Sequence, residues 1–130
     1  MPDRQLILDT CALLWLASGD ARLSRPTIRE IDAARSVQVS AISAWEISLK
    51  VAMRHLELPL PATEWFAAAL RQHGLTVAPL DVEVLMAAND LPWHHRDPAD
   101  RFIIATAKRH SLTIVTGDQR FELYGIPVIC

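Results

Sequence analysis

Four carboxylates, Asp9, Glu46, Asp100 and Asp118, fall at or just after the predicted boundaries of regular elements and are spread along a sequence of 130 residues. Carboxylates gathered in one place repel one another and resist ionisation unless a cation compensates them. A shared location therefore implies metal, and hard oxygen donors suit Mg²⁺ or Mn²⁺, one or two ions per site. An ion of this kind keeps waters that a phosphate oxygen can displace, activates one of them for in-line attack and stabilises charge on the phosphoryl group. Phosphodiester hydrolysis follows, with no Ser or Cys nucleophile required. Singly, each acid has a structural alternative. Asp9 can cap a helix, Glu46 can answer Ser43 in a capping box, Asp100 can favour a helix dipole behind an Asp97 cap, and Asp118 can serve a turn. Their joint placement shifts the balance toward chemistry.

The elements that must position these acids alternate between short apolar strands and helices. Gln5 to Leu8 is a predicted strand that stops at Asp9-Thr10, and Ala12 to Ala17 a helix closed by Ser18-Gly19. Pro26 opens a helix to about Ala34, and Val37 to Val39 is a second strand leading to Ser40. Ser43-Ala44-Trp45-Glu46 matches a capping box before a helix to about His55; Thr63 caps the next, which Gly74 stops. Thr76 to Pro79 is a weaker strand. Asp81 caps a helix to about Asn89, Pro98 starts another that reaches His110, and Thr113 to Thr116 and Val128-Ile129 are the last strands. This pattern predicts one domain over residues 1–130, an α/β sandwich with a central, mostly parallel sheet. In such sheets ligands bind outside the carboxyl ends of the strands, where Asp9, Ser40 and Asp118 are expected.

Composition narrows the class without naming a substrate. Hydrophobic residues make up 51% and charged ones 22%, the balance of an ordered globular chain. The formal charge of −2, from 13 Lys plus Arg and 15 Asp plus Glu, gives no overall basicity for nucleic acid; bound cations would invert the local charge that a phosphate meets. Met1-Pro2-Asp3-Arg4 runs into the first apolar stretch without a cleavable signal pattern, no apolar run is long enough for a membrane span, and Cys11 and Cys130 are distant in sequence. The expectation is a cytoplasmic protein with reduced thiols.

Four motifs stand in order: Leu8-Asp9-Thr10 with Ala12-Leu13-Leu14-Trp15; Val39-Ser40-Ala41 to Trp45-Glu46-Ile47; His95-Arg96-Asp97-Pro98 to Asp100-Arg101; and Val115-Thr116-Gly117-Asp118. Together they span nearly the whole chain and resemble the ordered motifs of VapC-type PIN domains. The resemblance implies a PIN-like three-layer α/β/α sandwich that binds Mg²⁺ or Mn²⁺ through Asp9, Glu46, Asp100 and Asp118. It further implies RNA cleavage, Thr116 as a supporting hydroxyl, a VapB-like antitoxin partner and a homodimer. Cys11 departs from the pattern, since similar sequences carry His there, and it sets a soft thiol beside a hard-metal site.

Arg96 and Arg101 are candidate RNA phosphate contacts, while Lys50 and Arg54 fit ordinary surface charge. Cys11 is expected to be a small apolar residue, His94 and His95 to lie in a solvated loop, and Trp15 and Trp45 to pack. Two other functions compete. A phosphoaspartyl phosphatase-like hydrolase would use Asp9 as nucleophile, although Cys11 stands where that chemistry needs a second Asp. A non-catalytic PIN interaction module would keep the fold without the acids, and all four are present.

Overall fold

Strand β1 (Gln5–Leu8) carries the alternation that organises the chain: Leu6 and Leu8 enter one core, Ile7 the other, and all three are fully buried. Successive strand side chains point to opposite faces. A strand apolar on both must be covered on both, the usual setting of a parallel sheet between helices. The computed structural model describes residues 4–130. Its other strands are β2 (Ser36–Ser40), β3 (Thr76–Ala78), β4 (Thr113–Val115) and β5 (Val128–Ile129). They form one sheet in the order β3-β2-β1-β4-β5, and every pairing is parallel. The mostly parallel sheet of the sequence analysis is wholly parallel among the described residues.

Helices α1 (Thr10–Ser18), α2 (Arg25–Ala33), α3 (Ala41–Ala52) and α4 (Ala62–His73) cover the face of Leu6 and Leu8 through Leu13, Ile31, Ile47 and Trp65. The opposite face, with Ile7 and Ile114, receives α5 (Val82–Asp90), α6 (Pro98–His110) and a 3-10 helix (Gln119–Tyr124) through Val84, Ile103, Ile104 and Phe121. Three layers result. Full burial of Ile103 and Ile104 is worth about 1.5–3 kcal/mol each, enough to hold α6 under the sheet although its first turn is acidic.

Two predicted helix starts differ in the structure. Ser40 caps α3 by accepting from the Ile42 amide at 3.1 Å, so the helix begins before Ser43 and the Ser43–Glu46 capping box does not form. Ser43 is buried instead, sharing a 2.9 Å hydrogen bond with the Thr10 hydroxyl that ties α3 to α1. Helix α4 starts behind Pro61, whose carbonyl takes the Trp65 amide, and not at a Thr63 cap. The fixed φ of proline prepares that entry without a side-chain cap.

The chain runs from β1 outward through β2 to β3, then returns to place β4 on the other side of β1. Connections from β1 and β4 thus diverge, leaving a crevice beyond their carboxyl ends, where ligands of such sheets bind. Leu8 pairs with Val115, so the next residues, Asp9 and Thr116, meet at that crevice.

Candidate active site

Asp9 is fixed by the strand it ends and the helix it starts. Its amide donates to the Val115 carbonyl at 3.0 Å, its Oδ1 accepts from the Ala12 amide at 2.8 Å as the cap of α1, and its Oδ2 accepts from the Thr116 hydroxyl at 2.5 Å. The residue is 7% exposed. Burial pushes its carboxyl above the ordinary value; the two hydrogen bonds oppose that rise, and the neighbouring Glu46 and Asp118 carboxylates add to it. Thr116 therefore orients the first acid, and its hydroxyl also accepts from the Asp118 amide at 3.0 Å.

Asp118 has the opposite electrostatics. Arg120 reaches it with Nε to Oδ1 at 3.0 Å and Nη2 to Oδ2 at 2.8 Å, and His95 Nε2 meets Oδ2 at 3.0 Å. The guanidinium holds this carboxyl well below the usual range against the opposing effect of burial, and the His95 bond adds to the lowering. His95 is buried rather than solvated, edge-on to Phe121, with its amide donating to the Tyr124 hydroxyl at 2.8 Å and its Nδ1 3.0 Å from the same oxygen. Nε2–H donates to Asp118, which only accepts, while Nδ1 shares a hydrogen bond with the Tyr124 hydroxyl. His95 and Tyr124 are positioning residues that sequence reasoning missed.

Glu46 and Asp100 stand nearby without ion-pair partners; among the described residues no basic side chain bridges to Asp9, Glu46 or Asp100. Asp100 lies in the first turn of α6, which Asp97 caps at the Ala99 amide, 3.0 Å. Its carboxyl is pushed up to about 7, first by burial and then by the carboxylates of Asp97, Asp9, Glu46 and Asp118. The four acids thus feel one another electrostatically. They do not form a closed cage, since among the described residues no three His, Cys, Asp or Glu side chains are gathered closely enough to hold an ion. The donor set nevertheless fits a hard divalent cation, because Asp9 and Asp100 are both raised and lack any cationic partner.

A pH dependence follows. A carboxyl whose folded value lies above its unfolded one stabilises the fold at low pH and loses that contribution as pH rises through the folded value, here from about 4 to about 7. Partial exposure screens the effect to about 1 kcal/mol. Without divalent ions, Tm is expected to fall by about 3–6 °C between pH 5 and pH 8, and Asp100→Asn to flatten that slope in scanning fluorimetry. A level wild-type profile would show that Asp100 is not raised in the folded protein.

Asp9 and Asp118 line one open cleft of about 530 Å³ with Cys11, Trp15, Gly117, Gln119 and Arg120. Cys11 is exposed there and not a buried apolar residue, because α1 turns it outward between buried Thr10 and Ala12. Gly117 is required by close approach: a Cβ there would lie 2.6 Å from Cη2 of Trp15. Gly117→Ala is expected to destabilise the fold by about 1–3 kcal/mol, read by urea denaturation, and Trp15→Leu to relieve the strain; equal losses in both backgrounds would refute the clash.

Two further expectations are corrected. Arg101 is not placed to meet RNA: at 3% exposure its guanidinium donates to the carbonyls of Ala88, Leu91, Pro92 and His95 at 2.6–3.2 Å and lies under the Trp93 ring. The end of α5 leaves carbonyls without helical partners, and Arg101 supplies donors to them. Trp45 does not pack; it is 58% exposed on α3. Arg96 is exposed.

The sequence matches the PIN domain family over residues 6–126. It is 32% identical over 123 residues to ribonuclease VapC22 of Mycobacterium tuberculosis, covering 94% of this chain and 93% of that protein. Among solved structures, it resembles VapBC2 from Rickettsia felis bound to a promoter DNA fragment, with a TM-score of 0.73 at 12% identity over 96% and 97% of the two chains. DNA-bound VapBC from Salmonella typhimurium gives 0.68 at 17% identity, covering 97% of each chain. A parallel five-stranded α/β/α sandwich with acids at its switch point and a match along almost its full length place the chain in the PIN-domain family.

Proposed function

We propose that this chain is a metal-dependent endoribonuclease that hydrolyses RNA phosphodiester bonds as the toxin of a toxin–antitoxin pair. The observation that carries the proposal is the cleft beyond β1 and β4 that Asp9 and Asp118 line together, within electrostatic reach of Glu46 and Asp100. Membership of the PIN-domain family and likeness to a ribonuclease support it. These four acids would hold Mg²⁺ or Mn²⁺, which when bound supplies a water of lowered pKa and charge stabilisation at the scissile phosphate. Thr116 fixes Asp9 Oδ2 and the Ala12 amide fixes Oδ1, so each oxygen keeps a lone pair for a cation. His95 holds Asp118 from behind in the same way. A phosphoaspartyl route would call for a second Asp two residues after Asp9, where Cys11 stands.

A VapB-like antitoxin and a second copy of the chain complete the proposal, with one domain over residues 1–130 acting in the cytoplasm. Likeness to VapBC complexes supports the antitoxin. Trp45 and Leu49 on α3 and Met53 at its C-cap, four residues apart, expose apolar surface of the sort that a protein interface buries. No helix of the described residues is long and apolar enough to cross a membrane. Incubating the purified, antitoxin-free protein with labelled total RNA tests the activity: cutting in Mg²⁺ or Mn²⁺ that EDTA abolishes is expected. An intact RNA pool in both metals would overturn it in favour of a non-catalytic interaction module.

A further inference from the structure

We propose that Arg120 is a switched cation of this site: it neutralises Asp118 while no divalent ion is bound, and it contacts an RNA phosphate once an ion has taken that carboxylate. The inference rests on the ribonuclease proposal and adds a substrate-binding residue to it. Arg120 opens the 3-10 helix, two residues after Asp118. Its backbone amide and Nε both donate to Oδ1, at 2.9 and 3.0 Å, while Nη2 donates to Oδ2 at 2.8 Å. The fork thus covers both oxygens that a cation would use.

Two features make this an exchangeable pair. The Arg120 side chain is 63% exposed, and an ion pair in that setting contributes only about 0.2–1 kcal/mol, which a divalent ion shared among several carboxylates can exceed. Asp118 does not depend on Arg120 for its position, because His95 holds Oδ2 from the buried side and the Thr116 hydroxyl holds its amide. Displacement therefore leaves the carboxylate in place and frees only the guanidinium.

A freed Arg120 remains tethered at the cleft. Among the described residues that line the cleft with Asp9 and Asp118 it is the one basic residue, and Arg101 is engaged in the interior. An anionic polymer entering this cleft meets the Arg120 guanidinium, while Arg22, over the Trp15 ring, is paired with Asp20. Guanidinium binds phosphate oxygens in the same bidentate manner as a carboxylate, so exchange from Asp118 to a phosphate preserves its hydrogen bonding. Metal capture and RNA capture are then coupled through one side chain.

Arg120→Gln separates the two roles. By isothermal titration without RNA, Mn²⁺ is expected to bind the variant about 2–5-fold more tightly than wild type, the equivalent of losing an exposed competing pair. At saturating Mn²⁺, KM for labelled RNA is expected to rise by about 5-fold, with a log–log salt dependence shallower by about 0.7, as for one lost single-strand phosphate contact. Arg120→Lys, which keeps the charge but not the fork, is expected to fall between them in both measurements. Unchanged or weaker Mn²⁺ binding overturns the competition, and an unchanged KM and salt slope overturns the RNA contact; either result refutes the switch. A wild type that binds no Mn²⁺ and cuts no RNA would overturn the ribonuclease proposal itself, a result distinct from a wild type that does both beside an indistinguishable variant.

Discussion

Asp9→Asn and Asp100→Asn are each expected to lower metal-dependent RNA cleavage by at least about 10²-fold, the scale seen when one preorganised electrostatic group is removed. Stability should not follow activity. Asn is as good a helix cap as Asp, so the Ala12 amide keeps its partner in the first variant. In the second, the amide removes a carboxyl that burial, and then its acidic neighbours, push up to about 7, so Tm in EDTA near pH 8 should stay level or rise. A structural acid would give the reverse, a loss of Tm with activity following it. The measurement pairs single-turnover cleavage in Mn²⁺ with thermal denaturation in EDTA and in Mn²⁺. Both variants should also show a smaller Mn²⁺-induced rise in Tm than wild type, since binding to the folded state alone is what stabilises it. Cleavage within about threefold of wild type in either variant would remove that acid from the site.

Asp9 and Asp118 show where the sequence is informative. Asp9 is visible because an apolar run ends at it, and strand ends of parallel sheets are where ligands collect. Asp118 is visible for the same reason, two residues beyond Thr116. Glu46 is found by its motif, but its predicted local environment is wrong: Ser40 caps the helix three residues before Ser43, and the freed Ser43 hydroxyl turns to Thr10. Both serines have the chemistry of a cap, and only the position at which β2 stops decides between them.

Long-range partners are harder to see. His95 serves Asp118 across 23 residues and Tyr124 across 29, and nothing local distinguishes it from the exposed His94 beside it. Cys11 and Trp45 fail as expected core residues for a related reason. Apolar character fixes that a helix has a buried side, while the mounting of that helix on the sheet fixes which residues face outward. The strand alternation of Leu6, Ile7 and Leu8 escapes this ambiguity because both of its faces are buried, so the layered fold is legible even where individual helix faces are not.

Arg101 gives the largest expected effect on stability. Arg101→Met is expected to destabilise the protein by about 3–5 kcal/mol, because truncating a buried, fully bonded polar side chain strands its partners. Four carbonyls lose their donor at once, two of them at the end of α5 and two in the loop to α6. That loop carries His95 to Asp118, so the guanidinium sets the reach of the positioning residue without touching the site. With total stabilities of about 5–15 kcal/mol, such a loss would bring Tm down by more than about 10 °C. Arg101→Lys should recover little, since an ammonium has three donors and no fork to span four carbonyls. Arg96→Ala is the control: it is exposed and should change stability by less than about 0.5 kcal/mol. Urea denaturation of the three variants decides between an interior clamp and a surface charge, and an Arg101→Met loss below about 1 kcal/mol would exclude the clamp.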